Sequence, residues 1–143
     1  MARNGEPETR RSGCPIGISL DLFGDRWSLL VVRDLMFFGR TTFGAFAAAG
    51  EGIATNVLAD RLERLECAGV IVRRLDPADR RKVVYRLTEK GMALAPVLVE
   101  IVLWAARHEE TDAPPEMVAV MEADRAGFIA GLRARWREGE VRA

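Results

Sequence analysis

Apolar positions along this chain repeat at helical spacing, then at a spacing of two, then at helical spacing again, and the regimes are separated by Gly, Pro and capping residues. Ile18, Leu20, Leu22 and Phe23 stand among small residues from Ile16 onward and stop at Gly24, which predicts a short helix with a glycine exit. Asp25 reads as an N-cap. Behind it Trp27, Leu29, Leu30, Val31, Val32, Leu35 and Met36 are apolar nearly all round, so a helix from about Arg26 to Phe38 should be the central, most buried one, stopped by Gly39. Thr42 can cap a short helix of Phe43 to Ala49, which Gly50, Glu51 and Gly52 break. From Ile53 or Ala54 to Ala68, the residues Val57, Leu58, Leu62 and Leu65 recur at three and four, and Gly69 is the C-cap. Short helix, glycine-containing turn and amphipathic helix with a polar N-terminal end make a helix-turn-helix pattern.

The period then becomes two. Val70, Val72 and Leu75 alternate with Arg73 and Arg74, Asp76 to Arg80 turn, and Val83, Tyr85 and Leu87 alternate with Lys82, Val84 and Arg86, which predicts a β-hairpin. Thr88 should cap the following helix, where Leu94, Leu98, Ile101 and Ala105 with Val97 and Trp104 form a broad stripe and Pro96, well inside, should kink it. A last helix is expected from about Pro115 to Glu138, with Met117, Met121, Phe128, Leu132 and Trp136 on one face. The fold class is therefore mainly α with a small β-hairpin: a winged helix-turn-helix with added terminal helices.

Composition narrows the function. The 143 residues, 49% hydrophobic, suit one ordinary globular domain. The longest apolar stretch, Met92 to Ala106, carries Pro96 and Glu100 and is too short for a membrane span, and the Arg-rich start lacks the apolar core of a signal peptide, so a cytoplasmic protein away from membranes is expected. Two cysteines and one histidine cannot assemble a Cys/His zinc site, and no cofactor is implied. Asp21 and Asp25, or Asp76 and Asp79, are close carboxylates with capping or turn roles, and nothing supplies a nucleophile, a metal or a phosphate-binding glycine loop, so no enzyme is expected. His108, near a helix end, reads as solvated or favoured by the helix dipole.

Charge is balanced overall, with 21 Lys+Arg against 21 Asp+Glu, but unevenly placed. Ile71 to Arg86 holds six basic residues against two acids, a local +4, whereas Arg107 to Ala143 sums to −2. A basic strip on a neutral protein is what a groove-reading element looks like. The predicted second helix can enter a major groove, with Thr55, Asn56 and Ala59 toward its N-terminal end as base or phosphate contacts. Arg80, Arg81 and Lys82 at the hairpin tip can reach phosphates or the minor groove, and Arg61 either contacts a phosphate or pairs along its helix with Asp60, Glu63 or Glu66.

The Cys14-Pro15 opening, Leu20 to Leu30 (LDLFGDRWSLL), Arg33-Asp34-Leu35, Phe43, Phe46, Leu58, Arg61-Leu62, Leu65-Glu66, Gly69-Val70-Ile71 and Tyr85 to Gly91 (YRLTEKG) are similar to HxlR-type bacterial transcriptional regulators. The wing, Asp76 to Arg81, looks more like that of the related MarR regulators, where an aspartate orients the wing arginines. The resemblance covers roughly Cys14 to Trp104. It implies double-stranded DNA as partner and a homodimer, held by the N-terminal segment and the helix after the wing, on a near-palindromic operator, in the role of a repressor. Leu94, Leu98, Ile101 and Trp104 are the expected dimerisation residues, and they form a wider stripe than one small wing domain can cover.

The expected organisation is a flexible arm over 1–13, the DNA-binding and dimerisation domain over 14–108, and a helical extension over 109–143. Cys14 sits where arm meets helix, near Arg10 and Arg11, and a cysteine at this place senses oxidants or electrophiles in some HxlR-type regulators. Cys67 is expected to be a small core residue. Two alternatives stay open: a small apolar ligand held between Trp27, Trp104 and the terminal helices as the effector, and a winged-helix module used for protein contacts without DNA.

Overall fold

The structure is a computed structural model that describes residues 11–141, without side-chain detail for the last two of these. Most of the arm expected over 1–13, including Arg10, lies outside the described residues, as do residues 142 and 143. The elements follow in the order α1 (Pro15–Phe23), α2 (Ser28–Phe37), α3 (Phe43–Ala47), α4 (Thr55–Cys67), β1 (Ile71–Leu75), β2 (Val83–Leu87), α5 (Glu89–Met92), α6 (Ala95–His108), α7 (Pro115–Ala123) and α8 (Arg125–Val141). The two strands pair antiparallel, from Ile71 opposite Leu87 at the base to Leu75 opposite Val83 near the tip.

One core joins Val31 and Val32 of α2, Phe46 of α3, the Leu58, Leu62 and Leu65 row of α4, Ile71 and Leu87 at the hairpin base, Met92, Leu98 of α6 and Leu132 of α8. A smaller cluster of Val99, Leu103 and Met121 lies between α6 and α7, and the Phe37 and Phe128 rings, 6.4 Å apart, help link the two. No described helix is long and apolar enough to cross a membrane.

Several expectations change. Pro96 does not kink a long helix. The helix capped by Thr88 ends at Met92, a turn follows, and α6 starts afresh with Pro96 in its first turn, where the missing N–H costs no hydrogen bond. The single helix expected from Pro115 to Glu138 is two, because Asp124 leaves helical geometry and its carboxylate accepts the Gly127 N–H, opening α8 with a cap. In the hairpin, Ile71 rather than Val72 faces the core, and Val72 and Leu75 are exposed, because a two-stranded wing touches the core only at its base. In α2 the apolar residues Leu29, Leu30, Leu35 and Met36 are only half-buried, while the polar Ser28 and Asp34 are buried. Cys67 is exposed, on the solvent side of the last turn of α4.

Gly91 is required by a close approach. A Cβ there would stand 2.1 Å from the Val70 carbonyl oxygen, where α5 passes under the entry to β1. Gly44, inside α3, meets nothing within 4 Å. We therefore expect Gly91→Ala to lower the free energy of urea unfolding by about 2 kcal/mol through overpacking, and Gly44→Ala to raise it by about 0.5–1 kcal/mol through helix propensity.

Candidate nucleic-acid interface

The exposed helix of the helix-turn-helix unit is α4. Thr42 caps α3 by accepting the Ala45 N–H at 3.2 Å, and Gly50 and Gly52, at φ of 86° and 74°, turn the chain into α4. Leu58, Leu62 and Leu65 pin one face of α4 to the core, so Thr55, Asn56, Ala59, Asp60 and Glu63 are left exposed. No side chain caps the N-terminus of α4 at Ala54, which leaves the positive end of its dipole open to solvent beside Thr55 and Asn56. Acidic Glu63 and Glu66 flank the exposed Arg64 in the far half of the helix, so its first turns carry the less acidic surface.

Two polar ties set the angle of this unit. The Asp25 carboxylate accepts the Trp27 and Ser28 backbone N–H groups, at 2.9 and 3.0 Å, and the Ser28 hydroxyl. It also accepts Arg61 Nε at 2.9 Å, which joins the start of α2 to the middle of α4. Burial pushes the Asp25 carboxyl up, but the Ser28 hydroxyl, the two backbone donors and the Arg61 charge outweigh it and hold the group below its ordinary value. The second tie is Asp34, 3% exposed, whose Oδ1 accepts from Arg33 and from Arg40. Arg33 reaches on to Glu51 at 2.8 Å. Burial works against the Arg33 charge, yet its hydrogen bonds to Glu51 and Asp34 raise its pKa.

At the wing tip Asp79 Oδ1 accepts both the Arg81 N–H, at 3.1 Å, and Arg81 Nε, at 3.2 Å. The Arg81 side chain is nevertheless 93% exposed, and Arg80 and Lys82 are exposed beside it. The two faces of the hairpin look different ways. Arg73 and Val83 face a groove shared with Ala59, Glu63 and Glu66 of α4, Arg74, Val84 and Arg86 face a cavity against α2 and α8, and Tyr85 lines both.

The structure thus brings Thr55, Asn56 and Ala59 onto one exposed face that shares a groove with the wing, and sets Arg80, Arg81 and Lys82 at its tip. Arg61 is paired with Asp25 and Asp60 rather than left free. Leu94 and Leu98 turn into the chain's own core, and Ile101 and Trp104, 45% and 61% exposed, remain on the outside with Val97. Cys14 is exposed at the N-cap of α1, its N–H bonded to Ser12 Oγ at 3.0 Å. The His108 ring lies 5.3 Å from that of Trp104. Sequence reasoning missed Asp34 and the Asp25–Arg61 tie. The available signal for Asp34 was an acid inside an apolar run with arginines on both sides.

A three-helix unit whose capped turn presents an exposed helix beside a basic two-stranded wing defines a winged helix-turn-helix protein. The sequence model of the HxlR-like helix-turn-helix family matches residues 22–113. The helix-turn-helix-type transcriptional regulator YvaP of Bacillus subtilis is 39% identical over 87 residues, 61% of this chain and 80% of YvaP. The solved structure of PA1607 shares 40% identity over 73% of this chain and 72% of its own, with a TM-score of 0.65. YodB of Bacillus subtilis is 37% identical over 64% of this chain and 82% of YodB. Its reduced form aligns with a TM-score of 0.56 and its quinone-bound form with 0.55. The chain belongs to the HxlR-like helix-turn-helix family and is a transcriptional regulator, not an enzyme.

Because the folded pKa of Asp25 lies below its unfolded value, its contribution to stability is complete above the unfolded value and vanishes as pH falls through the folded one. Asp25→Ala should cost about 1 kcal/mol at pH 7, by loss of a helix cap and an ion pair. The gap between variant and wild type, followed by denaturation at a series of pH values, should narrow below about pH 4.

Proposed function

We propose that this regulator binds duplex DNA sequence-specifically, with the N-terminal end of α4 in the major groove and the wing tip on the backbone or in the minor groove. The observation that carries the reading is the pairing of an exposed, uncapped α4 N-terminus bearing Thr55 and Asn56 with a wing whose tip presents Arg80, Arg81 and Lys82 to solvent. Asp79 stiffens Arg81 without burying it, which lowers the entropy lost when the guanidinium meets a phosphate. Glu63 and Glu66 repel the backbone from the far half of α4 and so favour entry by its first turns. Arg61 acts in this reading by positioning α4, through Asp25, and not as a phosphate contact.

The working unit is a homodimer in the cytoplasm, acting as a repressor on a near-palindromic operator. Support comes from the apolar side chains left outside: Ile16 and Leu20 on α1, and Val97, Ile101 and Trp104 on α6. Cys14, exposed at the N-cap of the same α1, is the sensor of electrophiles, its sulfur adding to a quinone ring carbon while the ring takes up the electron pair and the proton. A relative solved with quinone bound supports that chemistry. In this reading residues 14–108 form the DNA-binding and dimerising domain, and 109–143 an addition packed on it.

Arg81→Ala should weaken binding to all sequences and flatten the dependence of log affinity on log salt by about one unit, whereas Asn56→Ala should chiefly alter sequence preference. Fluorescence anisotropy against salt on operator and random duplexes reads both. An unchanged slope for Arg81→Ala overturns the wing assignment. Sedimentation at micromolar concentration should give a dimer, and Trp104→Glu a monomer. Benzoquinone treatment should lower the operator affinity of wild type and leave Cys14→Ser unchanged.

A further inference from the structure

Behind the wing, on the side away from α4, lies a cavity of about 370 Å³ between the end of α2, β2 and α8. Its walls come from Met36 of α2, Val84 of β2, and Leu132 and Trp136 of α8. Its rim carries two guanidiniums, Arg74 on β1 and Arg135 on α8. Neither forms an ion pair among the described residues, although other arginines around the core are paired: Arg33, Arg40 and Arg61 each hold a carboxylate. Two other charged groups line the same space and are committed. The Asp76 carboxylate accepts the Ala78 N–H of the wing turn at 2.9 Å, and Arg86 donates to the Trp136 carbonyl and stacks on the Trp136 ring at 4.8 Å.

A largely apolar chamber at whose mouth Arg74 and Arg135 have no ion-pair partner among the described residues matches one kind of molecule: a small organic anion with a flat or compact apolar body. The body would displace water from the Leu132, Trp136 and Val84 walls, and the carboxylate would meet Arg74 and Arg135. The size agrees, since small-molecule sites begin at about 300 Å³. The α8 wall lies outside residues 22–113, the stretch the family model matches, whereas the α2 and wing walls lie inside it. We propose that this cavity is a binding site for a small aromatic or branched aliphatic carboxylate. Because Val84 and Arg74 belong to the wing strands, an occupant touches the element that carries Arg80 and Arg81, and its use as an effector rests on the DNA reading above.

Binding is tested on the full chain without DNA, so its outcome is independent of operator recognition. The probes are 2-naphthoate and the neutral 2-naphthamide, titrated by calorimetry at pH 7. Naphthoate should bind saturably at one site per chain and the amide about tenfold more weakly, the loss of a charge-assisted contact. Arg135→Gln and Arg74→Gln, both at the rim, should bring the acid down to the level of the amide and leave the amide unchanged. Val84→Trp, filling the chamber from the wing side, should abolish both, with circular dichroism confirming a folded protein. Absence of saturable binding overturns the proposal, as does equal affinity for acid and amide, or unaltered naphthoate affinity in the Arg135 and Arg74 variants.

Discussion

The arrangement of α2, α3 and α4 depends on a carboxylate taken out of water. Asp34 is buried in the second half of α2, and a lone charge there would carry a desolvation cost of several kcal/mol. Arg33 and Arg40 meet the same Asp34 oxygen, and Arg33 extends the network to Glu51. Arg40 lies in the link entering α3 and Glu51 in the link leaving it, so one oxygen atom anchors both ends of the short helix. Such a network is weak evidence for stability, since well-packed apolar residues do as well, but it permits few alternative geometries. Its product is a link from α2 to the chain on both sides of α3, including the turn that leads into α4.

Much of this was legible in the residues. The helix-turn-helix and the hairpin followed from periodicity plus strong local signals, Thr42, Thr88 and the Gly50–Gly52 turn, and these elements stand where expected. The errors share a cause. The helices expected from periodicity run through Pro96 and Asp124, although each is a good first-turn or capping residue, and sequence alone does not say whether an apolar stripe crosses a break. The α6 stripe was read as one face, yet Leu94 and Leu98 turn inward with Val99 and Leu103, and Ile101 and Trp104 outward. A helix apolar on two sides does not reveal which side its own chain covers. Long-range pairs such as Asp25 with Arg61, 36 residues apart, leave no periodic trace at all.

The C-terminal helix is held to the rest of the fold by specific contacts. Trp136 donates its indole N–H to the Leu87 carbonyl at 2.9 Å, and Leu132 enters the same core as α4. Arg133 pairs with Glu89 at the start of α5. Helix α8 is therefore fastened to the base of the wing by a main-chain acceptor at the strand end, where the ladder leaves that oxygen available.

Strand β2 ties two compartments together. Val83 lines the groove beside α4 and Val84 and Arg86 line the cavity beside α8, as the pleat requires, but Tyr85 lines both. A substitution at Val83 or at Val84 can therefore reshape one compartment and spare the other, whereas one at Tyr85 alters the two at once, and that position is the least free to change by itself.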